Sequence, residues 1–355
     1  MPATPAIETN IWFWIIFNAV VLALLGFDLL AHKKGHIVKS GEALGWTIFW
    51  VSLSVIFGAG IWYIYGHDKG IEFFTCYLVE YSLSIDNIFI FVLIFTAFQV
   101  PREQQHRVLF WGILGALVLR GIMICIGAAA IKQYGWILYV FGAFLLYVGF
   151  KMIFAKDAHP DMQNTWIVRI SRKLLPFTDK YHGERFTVML PATPERQVPI
   201  EDAEPAAASG STATVAKPAF RTIPAMPARR VFTPLALVLI VVEFTDLIFA
   251  VDSIPAIFGF TQDAFIIYTS NVGAILGLRS LYFLLAGAMV SFHYLKVGLG
   301  VILMFVGLKM LSHGYFHIKP VYSLTFIIVV LAVSIIASLL RKAPPAPDEP
   351  TLSGH

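Results

Sequence analysis

The chain has 355 residues, 58% of them hydrophobic and 14% charged, with a net charge of +4 and a mean hydropathy of +0.75. Soluble globular chains carry about 25% charged residues, so this composition excludes an ordinary soluble enzyme and puts the chain in a lipid bilayer. The small positive charge gives no sign of a nucleic-acid partner. The two cysteines, Cys76 and Cys125, form no disulfide framework and no CxxC motif, and both read as packing residues.

The opening "MPATPAIETN" lacks the basic region of a secretory signal. The first apolar run is followed instead by "AHKKGHIVK", which predicts a retained first helix with its N-terminus outside. A crossing needs about 20 apolar residues. Nine stretches qualify: about 11–31, 44–66, 72–98, 107–130, 135–154, 233–257, 264–290, 295–312 and 321–340. On this topology the inside loops hold Lys33, Lys34, Lys39, Arg102, Arg107, Lys296, Arg341, Lys342 and the basic residues of 155–231, whereas the outside loops hold only Lys69, Lys132 and Lys319. The bias predicts a multi-pass inner-membrane protein, N-terminus outside and C-terminus cytoplasmic.

The expected fold class is all-α and polytopic. Two N-terminal spans occupy 1–71, a first three-helix unit 72–154, a cytoplasmic loop 155–232, a second three-helix unit 233–312, a last span 313–340 and a disordered tail 341–355. The first part of the loop, "WIVRISRKLLPFTDKYHGERFTVML", has enough apolar content for a small folded unit, and the Ala- and Pro-rich 191–230 reads as a flexible linker. The two three-helix units echo one another. "EYSLSIDN", "GALVLR" and "VGFKM" in the first recur as "DLIFAVDS", "GAILGLR" and "VGLKM" in the second. With three crossings per unit the second copy enters from the opposite face, which predicts an inverted repeat of the transporter kind.

Ten charged residues fall inside the spans: Asp28, Glu80, Asp86, Glu243, Asp246, Asp252, Arg120, Lys151, Arg279 and Lys309. A charge at the bilayer centre costs at least about 2.5–3.5 kcal/mol on insertion scales, so such residues pair, line water or bind ions. Lys151 and Lys309 lie near span ends and are expected to snorkel. Asp28, near the end of span one, is equally placed to reach the interface. Arg120 and Arg279 lie deeper and are expected to compensate carboxylates. Glu80 and Asp86 are six residues apart, as are Asp246 and Asp252. Six residues leave two side chains about 120° apart on a straight helix. Pro255 removes the hydrogen bond to the carbonyl of Val251, which predicts a helix break near Val251–Pro255 that re-aims Asp252.

The donors available here are carboxylates with Asn87, Ser84, Thr245, Ser253 and freed carbonyls, an all-oxygen set that suits a hard cation such as Mg²⁺, Ca²⁺ or Mn²⁺. No histidine lies in the core of spans three or six; Cys76, one turn before Glu80, would be the one soft ligand. A proton-titrating or structural ion-pair network with the two arginines is the competing reading. An intramembrane aspartyl protease has nothing to support it, since neither a GxGD motif nor a YD pair is present, and no P-loop indicates ATP-driven pumping.

The stretches "VEYSLSIDNIFIF", "HRVLFWGILGALVLR", "VVEFTDLIFAVDSIPAIF", "TSNVGAILGLRSLYF" and "YLKVGLGVILMFVGLKM" resemble the signature segments of the TerC/Alx family of integral membrane proteins, over most of residues 10–340. The resemblance implies export of a divalent metal, chiefly manganese, with associations to tellurite resistance and alkaline response. It implies acidic motif residues at Glu80, Asp86, Asn87, Glu243, Asp246 and Asp252, a matching acidic position at Asp28, and a shared stretch holding Asn271 and Arg279. Cys76, Tyr81 and Gly273 depart from the expected pattern, as does the long 191–230 linker.

These readings combine into one expectation: a non-enzymatic exporter, without a prosthetic group, that moves a divalent cation through a midplane carboxylate site. Its partners would be the bilayer and the metal ion. The ligands would be Glu80, Asp86, Asn87, Glu243, Asp246, Asp252 and Asp28, with Arg120 and Arg279 neutralising the empty site and protons competing for the carboxylates. The alternative is a non-transporting membrane component of a metal or tellurite stress complex, whose protein partners would meet the cytoplasmic loop.

Overall fold

A computed structural model describes residues 10–31, 40–154, 162–190, 196–199, 220–223, 228–287, 293–312 and 318–340. The first helices are α1 (Ile11–Ala31), α2 (Ser40–Tyr65), α3 (His67–Ala97), α4 (Arg102–Gln133), α5 (Ile137–Phe154) and α6 (Trp166–Leu174). After the loop come α7 (Pro234–Phe258), α8 (Ala264–Leu276), α9 (Leu278–Gly287), α10 (His293–Leu311) and α11 (Pro320–Leu340). Nine spans among the described residues are long and apolar enough to cross a membrane, α8 and α9 together forming one of them. The protein is therefore an all-α polytopic membrane protein. Its helices exceed the expected stretches mainly where charged residues continue them: α3 starts at His67 and α4 runs from Arg102 to Gln133.

The predicted break at Pro255 does not occur. α7 runs unbroken to Phe258 with Pro255 in its last turn, so the helix carries the lost hydrogen bond to the Val251 carbonyl without breaking. The interruption lies instead at Gly277, between α8 and α9. There a Cβ added to the glycine would stand 3.4 Å from the Cβ of Trp50 in α2.

Two units are distinguished: residues 1–167 with 238–355, and Val168–Leu237. In the first, α5 and α10 make the closest helix pair. Gly142 and Gly149 of α5 face Gly307 and Gly300 of α10. A Cβ on Gly149 would stand 2.7 Å from the carbonyl oxygen of Gly300, and one on Gly307 2.7 Å from that of Gly142. Lipid gives helices no hydrophobic reason to associate, and small residues compensate by letting backbones touch.

The second unit holds two antiparallel ribbons. β1 (Thr187–Leu190) pairs with β4 (Arg229–Phe232), and β2 (Arg196–Pro199) with β3 (Phe220–Ile223). Thr233 closes the first ribbon, its hydroxyl donating to the Arg185 carbonyl at 2.7 Å. The stretch 191–230 expected as linker thus contributes strands at its edges. Residues 191–195, 200–219 and 224–227, and the tail 341–355, lie outside the described residues.

Candidate ion-binding site

Helical register assembles the centre of the bundle. Cys76 of α3, Ile124 of α4, Ala250 of α7 and Ile267 of α8 belong to one buried apolar cluster. Four residues on along α3 and α8, and four back along α4 and α7, the same faces carry Glu80, Asn271, Arg120 and Asp246. One turn separates a fully apolar layer from a fully polar one.

Arg120 organises the polar layer. Its Nη1 donates to Glu80 Oε1, while Nε and Nη2 form a fork onto Asp246 Oδ2 at 3.2 Å and Oδ1 at 3.0 Å. Exposure is 1% for Arg120, 0% for Glu80 and 3% for Asp246, so the three are held away from solvent. A planar guanidinium is the cation that can satisfy two carboxylates at once. The charges sum to −1, and the hydrogen bonding is incomplete. Glu80 Oε2, Ser84 Oγ, Glu243 Oε2, Ser253 Oγ and both amide atoms of Asn271 are buried without a hydrogen-bond partner. Buried polar atoms in native proteins are overwhelmingly satisfied, and most of these orphans are oxygen acceptors. Glu243 reaches the interior because Gly115 of α4 has no side chain; a Cβ there would overlap the carboxylate.

Of the residues expected at the site, Glu80 and Asp246 are joined through Arg120, Glu243 lies one turn from Asp246, and Asn87 is buried two turns along α3 from Glu80. The side chain of Asp86 lies outside the described residues. Asp252 is half-buried, further along α7, within reach of the field of Lys151. Asp28 is paired with Arg279. It accepts a hydrogen bond from Arg279 Nη2, whose Nη1 meets His106 Nε2 at 3.1 Å. Arg279 therefore compensates Asp28, and among the described residues Arg120 is the cation that meets Glu80 and Asp246. A cavity of about 10 Å³, roughly one water's worth, is lined by both Asp246 and Arg279, together with Ile113, Ile275 and Leu278. Among the described residues, no three His, Cys, Asp or Glu side chains are grouped as a preformed metal cage.

Lys309 does not snorkel. Its ammonium donates to Ser323 Oγ at 3.2 Å and lies 4.9 Å from the Phe260 ring centroid, whereas Lys151 is exposed. The structure also holds a third buried ionic cluster, built in part on Lys69, a residue that reads as loop charge in the sequence. Lys69 Nζ meets Glu72 Oε2 at 3.1 Å and Asp263 Oδ2 at 3.3 Å, and Thr261 donates to Glu72 at 2.7 Å. Asp263 also caps α8, its Oδ1 accepting from the amides of Phe265 at 3.1 Å and Ile266 at 3.3 Å. An aspartate just before an apolar helical run is a readable signal for the cap; the ion pair has no such signal.

Nine membrane-spanning helices among the described residues, with Glu80, Arg120 and Asp246 buried together between α3, α4 and α7, define a polytopic membrane protein with a buried ionic cluster. The model of the integral membrane protein TerC family matches residues 65–345. The chain is 43% identical over 330 residues to an uncharacterised membrane protein of Myxococcus xanthus, covering 93% of this chain and 92% of the relative. It is 41% identical over 333 residues to a protein of Salmonella typhi named putative membrane-bound redox modulator Alx, covering 91% and 92%. The Escherichia coli K12 protein of the same name is 40% identical over the same length and shares. The chain belongs to the TerC family. No solved structure matches it significantly.

Proposed function

We propose that this protein is a non-catalytic transporter that exports a divalent metal cation, Mn²⁺ foremost, across a bacterial inner membrane, with its N-terminus outside and C-terminus cytoplasmic. The observation that carries the reading is the central layer, where two buried carboxylates share one guanidinium while further oxygen atoms around them have no partner. Arg120 is then the stand-in for the cargo. When it withdraws, Glu80 and Asp246 leave a charge of −2, which a divalent cation matches. Glu243 and Ser84, each about one turn from a member of the pair, add unsatisfied oxygens, and Asp86 and Asn87 follow on α3. The oxygen donor set favours hard cations, and the TerC resemblance favours manganese.

The reciprocal contact of α5 and α10, in which each glycine of one meets the carbonyl of its counterpart, supports two inverted copies that rock about the ion. Protons compete for the same carboxylates, which would couple export to the proton gradient. The test is Mn²⁺, Mg²⁺, Ca²⁺ and Zn²⁺ flux in liposomes holding the purified protein, at set pH gradients. Wild-type flux that is lost in Asp246→Asn and Asp86→Asn supports the reading. Undiminished flux in both variants removes the site, and no wild-type flux of any ion removes the function.

The name of the Salmonella and Escherichia relatives, putative membrane-bound redox modulator, favours a second reading, redox modulation without transport. Here both cysteines are free thiols, Cys76 buried and Cys125 exposed. A Cys76→Ser/Cys125→Ser variant that keeps full function in cells would dispose of a thiol-based version. Deleting 200–219, which leaves the strands β1 to β4 in the chain, tests whether the loop instead recruits stress-complex proteins, since a transporter should tolerate that deletion.

A further inference from the structure

We propose that Asn271 of α8 is a neutral ligand of the transported cation, contributing its amide oxygen to the central layer; this rests on the transport reading above. Two neighbours fix its direction. Ile267, one turn before it, packs with Cys76, Ile124 and Ala250, and Ile275, one turn after it, lines the small cavity that Asp246 and Arg279 also line. Four residues turn a helix by about 40° beyond a full circle, so Asn271 lies on the strip between those two contacts, one turn from Ile267 as Glu80, Arg120 and Asp246 are one turn from Cys76, Ile124 and Ala250. The opposite strip is taken: Gly273 and Gly277 back onto Ser54 and Trp50 of α2.

Asn271 is 1% exposed, and neither its Oδ1 nor its Nδ2 has a hydrogen-bond partner. A structural asparagine in a membrane core is held by partners, because a carboxamide left bare there is costly. One bare at both ends, on the helix face that Ile267 and Ile275 turn toward the Arg120 cluster, is a group whose partner comes and goes. The chemistry also accounts for an amide rather than a third acid. With the carboxylates already matching a divalent charge once Arg120 leaves, a carbonyl oxygen adds a ligand without adding charge, so the ion can still be released. The amide N–H₂ can meanwhile donate to a ligating carboxylate and orient it.

Structural and ligand roles predict opposite signs. For Asn271→Leu, which fills similar space without the bare amide, a ligand role predicts unchanged or raised thermal stability in the ion-free protein. It also predicts Mn²⁺ binding about tenfold weaker, read by titration of purified protein in detergent. Asn271→Asp should bind Mn²⁺ more tightly and release it more slowly in single-turnover flux. Wild-type Mn²⁺ affinity in both variants would overturn the proposal. So would an ion-free Asn271→Leu protein clearly less stable than the parent with unaltered affinity. If the parent itself neither binds nor moves the ion, the transport reading fails first, and the two failures are told apart by that control.

Discussion

Replacing Arg120 by alanine separates an internal counter-ion from a structural strut. In the ion-free protein Arg120 forms the fork onto Asp246 and the bond to Glu80, all three residues being at most 3% exposed. Removing one partner of such a buried network leaves uncompensated charge and costs roughly 3–5 kcal/mol. A strut and a counter-ion both predict this loss. They differ once a divalent ion is added. Without Arg120 the ion no longer competes with a tethered cation for Glu80 and Asp246, so it should bind R120A more tightly than the parent. At 100-fold excess over its Kd it should return about 2.7 kcal/mol of stability. Transport should nevertheless fall, because nothing remains to expel the ion and neutralise the empty site. The assay is thermal unfolding of purified R120A and parent in detergent across a Mn²⁺ titration, with liposome flux alongside. A Mn²⁺-induced shift in R120A no larger than in the parent would refute the counter-ion role. A Glu80→Gln/Arg120→Met/Asp246→Asn variant serves as control: it carries no buried charge there, should recover much of the stability, and should show no Mn²⁺ shift.

At the α5–α10 contact, Gly149→Leu should destabilise by at least about 1–3 kcal/mol, the usual cost of overpacking, because the first added atom already meets the Gly300 carbonyl at 2.7 Å. Gly135→Ala, which opens onto free space, should shift the melting temperature little, and the same unfolding assay compares them. Lys69→Ala should cost about 3–5 kcal/mol by leaving buried Glu72 and Asp263 without their shared cation. Thr261→Val removes the hydrogen bond to Glu72 and the one its hydroxyl accepts from the Asp263 amide, and should cost less, about 1.5–3 kcal/mol. Equal losses in Lys69→Ala and Thr261→Val would show that Lys69 is not the centre of that cluster.

Sequence by itself determined the class of the protein and most of its scaffold. Hydropathy is a sum over neighbours along the chain, so nine spans and their approximate limits are written in local composition. It also marked Glu80, Arg120 and Asp246 as costly charges that had to find a use. Which charge meets which was decided only by tertiary structure. Asp28 and Arg279 are 251 residues apart, and Arg120 and Asp246 126, and each pairing depends on helix rotation and tilt that no local pattern encodes. The same holds for Asn271, one polar residue on an apolar helix until Ile267 and Ile275 fix the direction it faces. Pro255 gave a false signal because the lost hydrogen bond to the Val251 carbonyl is a local cost that the packed bundle outweighs, and α7 stays helical through it to Phe258. Gly277 interrupts the α8–α9 span where it packs beside Trp50 of α2, a contact that exists only once the bundle has formed.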